Sequence, residues 1–141
     1  MTTQPKSIVV PVPSEEDREY WAGAKEGKLL IQKCGGCGRL RNFPSMGCPH
    51  CGILKWSWVQ SKGKGKIYSW IVVHPPVLPA FADKVPYNVI LVELEEGTRI
   101  VSSLVDCPNE KIAIGMPVEV VFEKLTEEIT LPKFRPAIGA R

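Results

Sequence analysis

Two cysteine pairs, Cys34-Gly35-Gly36-Cys37 and Cys48-Pro49-His50-Cys51, constrain this chain more than any other feature. Each C-x-x-C sets two thiolates on one tight turn, and ten residues separate the pairs. A tetrahedral four-cysteine zinc centre is built from two such half-sites joined by a short excursion. Gly38 and Gly52 follow the pairs directly, where a chain doubling back favours a residue tolerant of positive φ. The competing reading is a pair of disulfides or four unlinked thiols, and the spacing favours zinc. Four thiolates saturate the metal, so the ion is expected to be structural; a catalytic zinc keeps an exchangeable water. His50 lies inside the second knuckle between two better ligands and reads as solvent-facing.

At 141 residues the chain is one compact domain or two small modules sharing a core. Its hydrophobic fraction of 44% against 23% charged residues indicates a folded chain, not a disordered one. No run approaches membrane-spanning length, and Met1–Ser7 has no apolar signal core. Metal-spaced thiols suit a reducing interior, so a cytoplasmic location is expected. The net charge of +3 is mild but unevenly spread. Lys28, Lys33, Arg39, Arg41, Lys55, Lys62, Lys64 and Lys66 fall in a stretch with no Asp or Glu. Lys33, Arg39 and Arg41 can offset the formal 2− charge of a zinc ion held by four thiolates. Lys62, Lys64 and Lys66 lie further on and suggest an anionic partner.

The order of local signals predicts a mainly β chain. Ser14 reads as an N-cap, with acids in the first turn after it and Gly27 as a stop, giving a helix of about three turns. Tyr20, Trp21 and Ala24 share its apolar face, which reads as packing within the chain's own domain. Leu29–Lys33 leads as a strand into the first knuckle, and Arg39–Pro44 crosses to the second. Strands follow at Lys55–Gln60, Ile67–His74, Asn88–Glu95, Arg99–Val105, Val118–Glu123 and near Glu128–Leu131, the last before a proline-rich tail. Gly63 and Gly65 allow a bend or bulge, and Glu96-Gly97 is a hairpin turn. Such strands and glycine bends suit a small closed barrel of the OB type. The expected architecture is an N-terminal arm and helix (residues 1–28), a rubredoxin-like zinc ribbon (29–54) and a five-stranded OB-fold barrel with a C-terminal tail (55–141).

A series of segments, in order, then resembles one family. These are Lys25-Glu26-Gly27-Lys28-Leu29, the two knuckles each followed by glycine, Phe43-Pro44, Gly63–His74, Pro86-Tyr87, Glu96–Arg99, Gly115–Phe122 and Leu131–Pro136. Together they are similar to the zinc-ribbon and OB-fold proteins grouped as domain of unknown function thirty-five, over nearly the whole chain. The resemblance implies a non-catalytic small subunit that partners a thiolase-fold enzyme: a thiolase, a hydroxymethylglutaryl-CoA synthase or a lipid-transfer-protein-like steroid side-chain aldolase. It implies one structural zinc on Cys34, Cys37, Cys48 and Cys51, and an acyl-CoA thioester as the shared ligand in lipid or steroid metabolism. Related domains occur fused to acyl-CoA hydratases.

A CoA-related role needs cations for nucleotide phosphates and a narrow apolar passage for the pantetheine arm. Lys62, Lys64 and Lys66, at spacing two, share a face in extended backbone; a solvated turn fits them equally. Arg99 stands beside the Glu96-Gly97 turn, and His74 ends a strand before a loop carrying Phe81. These six are the candidates for CoA or partner binding. No nucleophile elbow, phosphate loop or histidine–carboxylate metal motif occurs, so no catalytic residue is assigned. Two other functions compete. A nucleic-acid module would use the basic stretch with Trp56, Trp58, Tyr68 and Trp70, although the net charge is low for one. A stand-alone acyl-CoA hydrolase or transferase would need Cys107 and His74, which nothing in the sequence brings together.

Overall fold

A computed structural model describes residues 10–74, 79 and 83–137 of the chain. Helix α1 spans Arg18–Lys25, about two turns, and its N-cap residue is Asp17, not Ser14. The Asp17 carboxylate turns back to accept hydrogen bonds from the Ser14 backbone N–H at 2.6 Å and from its hydroxyl at 3.1 Å. That local closure draws residues 15–17 into a turn and delays the helix. Gly27, at φ 78°, follows its end as expected. Tyr20 and Ala24 are buried, and the Tyr20 ring meets Trp21 edge-on at 5.1 Å. Burial pushes the Tyr20 phenol up to about 12. The helix rests on strands of both modules described below, so this aromatic pair joins them internally.

The ribbon sheet has three antiparallel strands, β1 (Leu30–Cys34), β2 (Leu40–Arg41) and β3 (Trp56–Gln60), in the order β2-β1-β3. The strand carrying Trp56 and Trp58 thus belongs to the ribbon, although the expected boundary after residue 54 assigned it to the barrel. Its register sets Cys34 opposite Trp56 and Gln32 opposite Trp58. β1 is the central strand, with β2 along one edge and β3 along the other, and the ladder with β3 continues until Ser61 N–H bonds the Leu29 carbonyl at 2.8 Å.

Five further strands form a curled antiparallel sheet: β4 (Lys64–Val73), β5 (Tyr87–Leu94), β6 (Arg99–Ser102), β7 (Pro117–Lys124) and β8 (Thr130–Pro136), ordered β6-β5-β4-β7-β8. Along β5, Asn88, Ile90, Val92 and Leu94 face inward. The two ends of the sheet meet at Phe134, which bridges Leu104 in parallel. Its N–H donates to the Ser103 carbonyl at 3.0 Å, and its own carbonyl accepts from Val105 N–H at 2.8 Å. Leu29 and Ile31 of the ribbon join Ile67, Ile90, Val118 and Phe134 in one buried cluster, so ribbon and barrel share a core.

Residues 131–136 are therefore not a tail but the last barrel strand. The prolines that concealed it are placed where they cost little. Phe134 points its N–H away from β7, and Pro132 and Pro136 have the same parity along β8. Their missing N–H groups fall on the outer edge, so the ladder with β7 keeps its donors. The irregularity in β4 likewise lies between Ile67 and Ser69, not at Gly63 or Gly65. Those glycines serve close packing instead. A Cβ on Gly65 would collide with the Glu93 carbonyl oxygen, and one on Gly63 with the Val120 side chain. Gly65→Ala is expected to cost about 1–3 kcal/mol, read as a lower urea midpoint at unchanged slope. Among the described residues, no helix is long and apolar enough to cross a membrane.

Candidate metal centre and the barrel surface

The two knuckles close as the spacing requires. Gly38 N–H bonds the Cys34 carbonyl at 3.2 Å and Gly52 N–H bonds that of Cys48 at 2.9 Å, with the glycines at φ 76° and 78°. The four sulfurs lie within 4.8 Å of one another, with Cys34 Sγ 3.4 Å from Cys51 Sγ and Cys37 Sγ 3.6 Å from Cys48 Sγ. Zinc–sulfur bonds of about 2.3 Å at tetrahedral angles put sulfurs about 3.8 Å apart, so the group fits a zinc ion with only small adjustments. Backbone N–H groups point at the sulfurs: Gly36 and Cys37 donate to Cys34 at 3.3 and 3.4 Å, and His50 donates to Cys48 at 3.4 Å. In the absence of metal the Cys37 and Gly36 N–H groups draw the Cys34 thiol down to about 6. Cys48 is also lowered, first by the Cys51 N–H. Backbone N–H groups thus favour the thiolate form at these two sulfurs. Bound zinc would hold the two knuckles together; it would supply no reaction site, because every ligand position is taken by sulfur.

Hydrogen bonds around the centre include a buckle that sequence reasoning missed. Gln32 is fully buried and its Oε1 accepts from Arg41 Nε at 2.6 Å and from Ser45 N–H at 2.8 Å. Gln32 Nε2 and Arg41 Nη2 both donate to the Ser45 carbonyl at 3.0 Å. Arg41, expected as a counter-charge to the metal, is therefore a clamp on the crossing loop. His50 is exposed, with Arg39 Nη1 3.1 Å from its Nδ1.

Among the described residues, the candidates for ligand binding are not gathered at one place. Lys62, Lys64 and Lys66 are all exposed and alternate as expected, but carboxylates stand among them. Lys64 pairs in register with Glu119 and Lys66 with Glu93, whose carboxylate is 3.9 Å from Lys66 Nζ. Arg99 lies 3.4 Å from the same carboxylate and 3.8 Å above the Tyr68 ring. Glu96, also missed in the sequence, accepts from the Ser61 hydroxyl and the Lys62 N–H, both at 2.8 Å, and so ties the ribbon–barrel junction to the β5–β6 turn. His74 is exposed at the other end of β4, eight residues beyond Lys66 and hence about 26 Å away in extended chain. Phe81 lies outside the described residues. The approach of backbone permitted by Gly65 is taken by β5 rather than left for a ligand. Cys107 bonds the adjacent Pro108 carbonyl and makes no hydrogen bond to His74. Trp58 and Trp70 pack against the core, leaving Tyr68 as the most exposed of the four aromatics considered for base stacking.

Among the described residues, exposed apolar side chains occur on both the barrel and the ribbon. On the outer face of β4–β6, Ile71, Val89, Leu91 and Val101 line a shallow depression of about 190 Å³. On the ribbon, Phe43, Met46, Ile53 and Leu54 are exposed around the metal loops.

Comparison with known proteins places these modules among relatives. Residues 21–56 match the family described as ChsH2, rubredoxin-like zinc ribbon domain, and residues 58–123 match ChsH2, C-terminal OB-fold domain. The chain is 45% identical over 139 residues to a probable enoyl-CoA hydratase alpha subunit of Thermomonospora curvata, covering 97% of this chain but only 43% of that protein. It therefore spans less than half the length of that relative. A DUF35 domain-containing scaffold protein of Methanocaldococcus jannaschii is 41% identical over 112 residues, 77% of each chain. Among solved structures, a chain of an Ltp2-ChsH2(DUF35) aldolase superposes with a TM-score of 0.81 at 45% identity, over 92% of this chain and 100% of that one.

Proposed function

This chain belongs to the DUF35/ChsH2 zinc-ribbon and OB-fold family, and we propose that it is a non-catalytic accessory subunit of a thiolase-fold acyl-CoA enzyme. In this reading it binds that enzyme and helps to form its acyl-CoA channel. The observation that carries the proposal is the match to the whole of the Ltp2-ChsH2(DUF35) aldolase chain at 45% identity. The hydratase alpha subunit named among the relatives supports the same association with CoA thioester chemistry. Exposed apolar side chains on both barrel and ribbon also suit a subunit that is completed by a partner.

Within that role, Lys62 and Lys64 are the cations offered to CoA phosphates or to an acidic partner. Lys66 and Arg99 share Glu93 and contribute less net charge. His74, at the far end of β4, would meet a different part of the partner or ligand. Neutralising Lys62, Lys64 and Lys66 together is expected to weaken CoA-ester or partner binding about 3- to 10-fold at low salt, with the difference shrinking as salt rises. Unchanged affinity across a salt titration would assign these lysines to a solvated turn.

Native mass spectrometry of the tagged protein, purified from its own host, tests the whole reading. The expected result is a complex with a thiolase-fold subunit and one zinc per chain. A zinc-loaded chain carrying nucleic acid, or no partner, would overturn it.

A further inference from the structure

Phe43, Met46, Ile53 and Leu54 are 63%, 51%, 41% and 69% exposed, and all four lie on the crossing loop or directly after the second knuckle. They are held rigidly. The Gln32–Arg41–Ser45 buckle fixes the loop between Phe43 and Met46. Cys48 N–H bonds the Ile53 carbonyl at 3.1 Å. Leu54 packs against Gly47, and Ile53 against Gly36, where any side chain would meet Ile53 Cγ1 at 2.7 Å. These four side chains lie outside the buried cluster that the ribbon shares with the barrel. Four large apolar groups fixed in solvent are costly unless something covers them.

The surrounding charge indicates what covers them. No Asp or Glu occurs anywhere from Lys28 to Lys66. Within the ribbon, Lys33, Arg39 and Lys55 are exposed, and none forms a salt bridge among the described residues. With Arg41 they make four cations, exceeding the 2− formal charge of a zinc ion bound by four thiolates. The barrel differs, since its Lys66, Arg99, Lys133 and Arg135 all meet carboxylates of the same sheet. Exposed apolar groups and unpaired cations in one acid-free module suit one half of a protein–protein contact.

We propose that Phe43, Met46, Ile53 and Leu54 together form the docking surface for the partner subunit, and that the partner presents an apolar patch bordered by carboxylates. The inference rests on the accessory reading above and specifies its contact. The outer barrel face of Ile71 and Val101 is then free for another use.

The test compares tagged full-length variants purified from the same host, each checked for one zinc per chain and a wild-type melting curve. Phe43→Asp and Leu54→Asp are expected to lower recovery of the thiolase-fold subunit by about tenfold or more, as loss of a central apolar anchor does. Phe43→Ser and Leu54→Ser serve the same purpose if the aspartate variants lose zinc. Lys33→Glu with Lys55→Glu should weaken association at low salt and converge with wild type at high salt. Ile71→Asp and Val101→Asp should leave it unchanged. Loss of the subunit from the barrel variants with retention by the ribbon variants would overturn this inference while leaving the accessory reading intact. Failure of the wild-type chain to bring down any thiolase-fold subunit would overturn that reading and the inference with it. Binding of a single-stranded oligonucleotide by the wild type, abolished by the ribbon variants, would overturn the inference and give the face to nucleic acid.

Discussion

Cys34→Ser is expected to lose stoichiometric zinc and to lower the melting temperature of the entire chain. Structural zinc in small domains contributes about 10–16 kcal/mol of apparent binding free energy at neutral pH. The net stability of a domain is only about 5–15 kcal/mol, so removing one of four ligands suffices to open the ribbon. Cys34 is the most damaging position to choose. It is buried, ends β1 opposite Trp56 and receives two backbone N–H bonds at its sulfur, whereas Cys51 is exposed. Opening should not stay local, because Leu29 and Ile31 share their core with the barrel. Metal analysis and a thermal melt check this directly. Chelation of the wild type should reproduce the variant's melt, and added zinc should restore the chelated wild type only. An unchanged zinc content and melting temperature in Cys34→Ser would refute the structural role of the centre.

Phe134→Ala is expected to cost about 3–5 kcal/mol, the range for removing a large buried aromatic. Phe134 is 0% exposed, and its backbone joins the ends of the sheet through Ser103 and Val105. The cavity would open where β8 meets the segment after β6, at the point of barrel closure. Phe134→Leu keeps more of the volume and should cost less. A urea midpoint for Phe134→Ala no lower than that of exposed Ile114→Ala would show that closure does not depend on this side chain.

The metal centre is legible because its determinants are local. Each knuckle is a four-residue unit with its own glycine, and only ten residues separate the two. The β5–β6 hairpin is legible for the same reason, its turn lying between two strands in continuous register. The helix starts later than its cap signal suggests because Asp17 bonds back to Ser14 instead of leaving Ser14 to cap. Strand β8 is hidden by Pro132 and Pro136, which read as breakers until the edge they face is known. The acidic neighbours of the lysines, Glu93, Glu96 and Glu119, are hidden in the sequence because they lie far along the chain and arrive only through strand pairing or a turn.

Spacing, alternation and turn chemistry act over a few residues, and they were enough to give the four-cysteine cluster and the mainly β character; the family followed from the resemblance of an ordered series of segments. Folding in three dimensions was needed to settle which strand completes the ribbon, which prolines are tolerated and which cations are already matched by acids. It also settled which apolar side chains remain uncovered. Those outcomes depend on contacts between residues far apart in the chain, such as Lys64 and Glu119, where partner identity is set by register and closure and not by local preference.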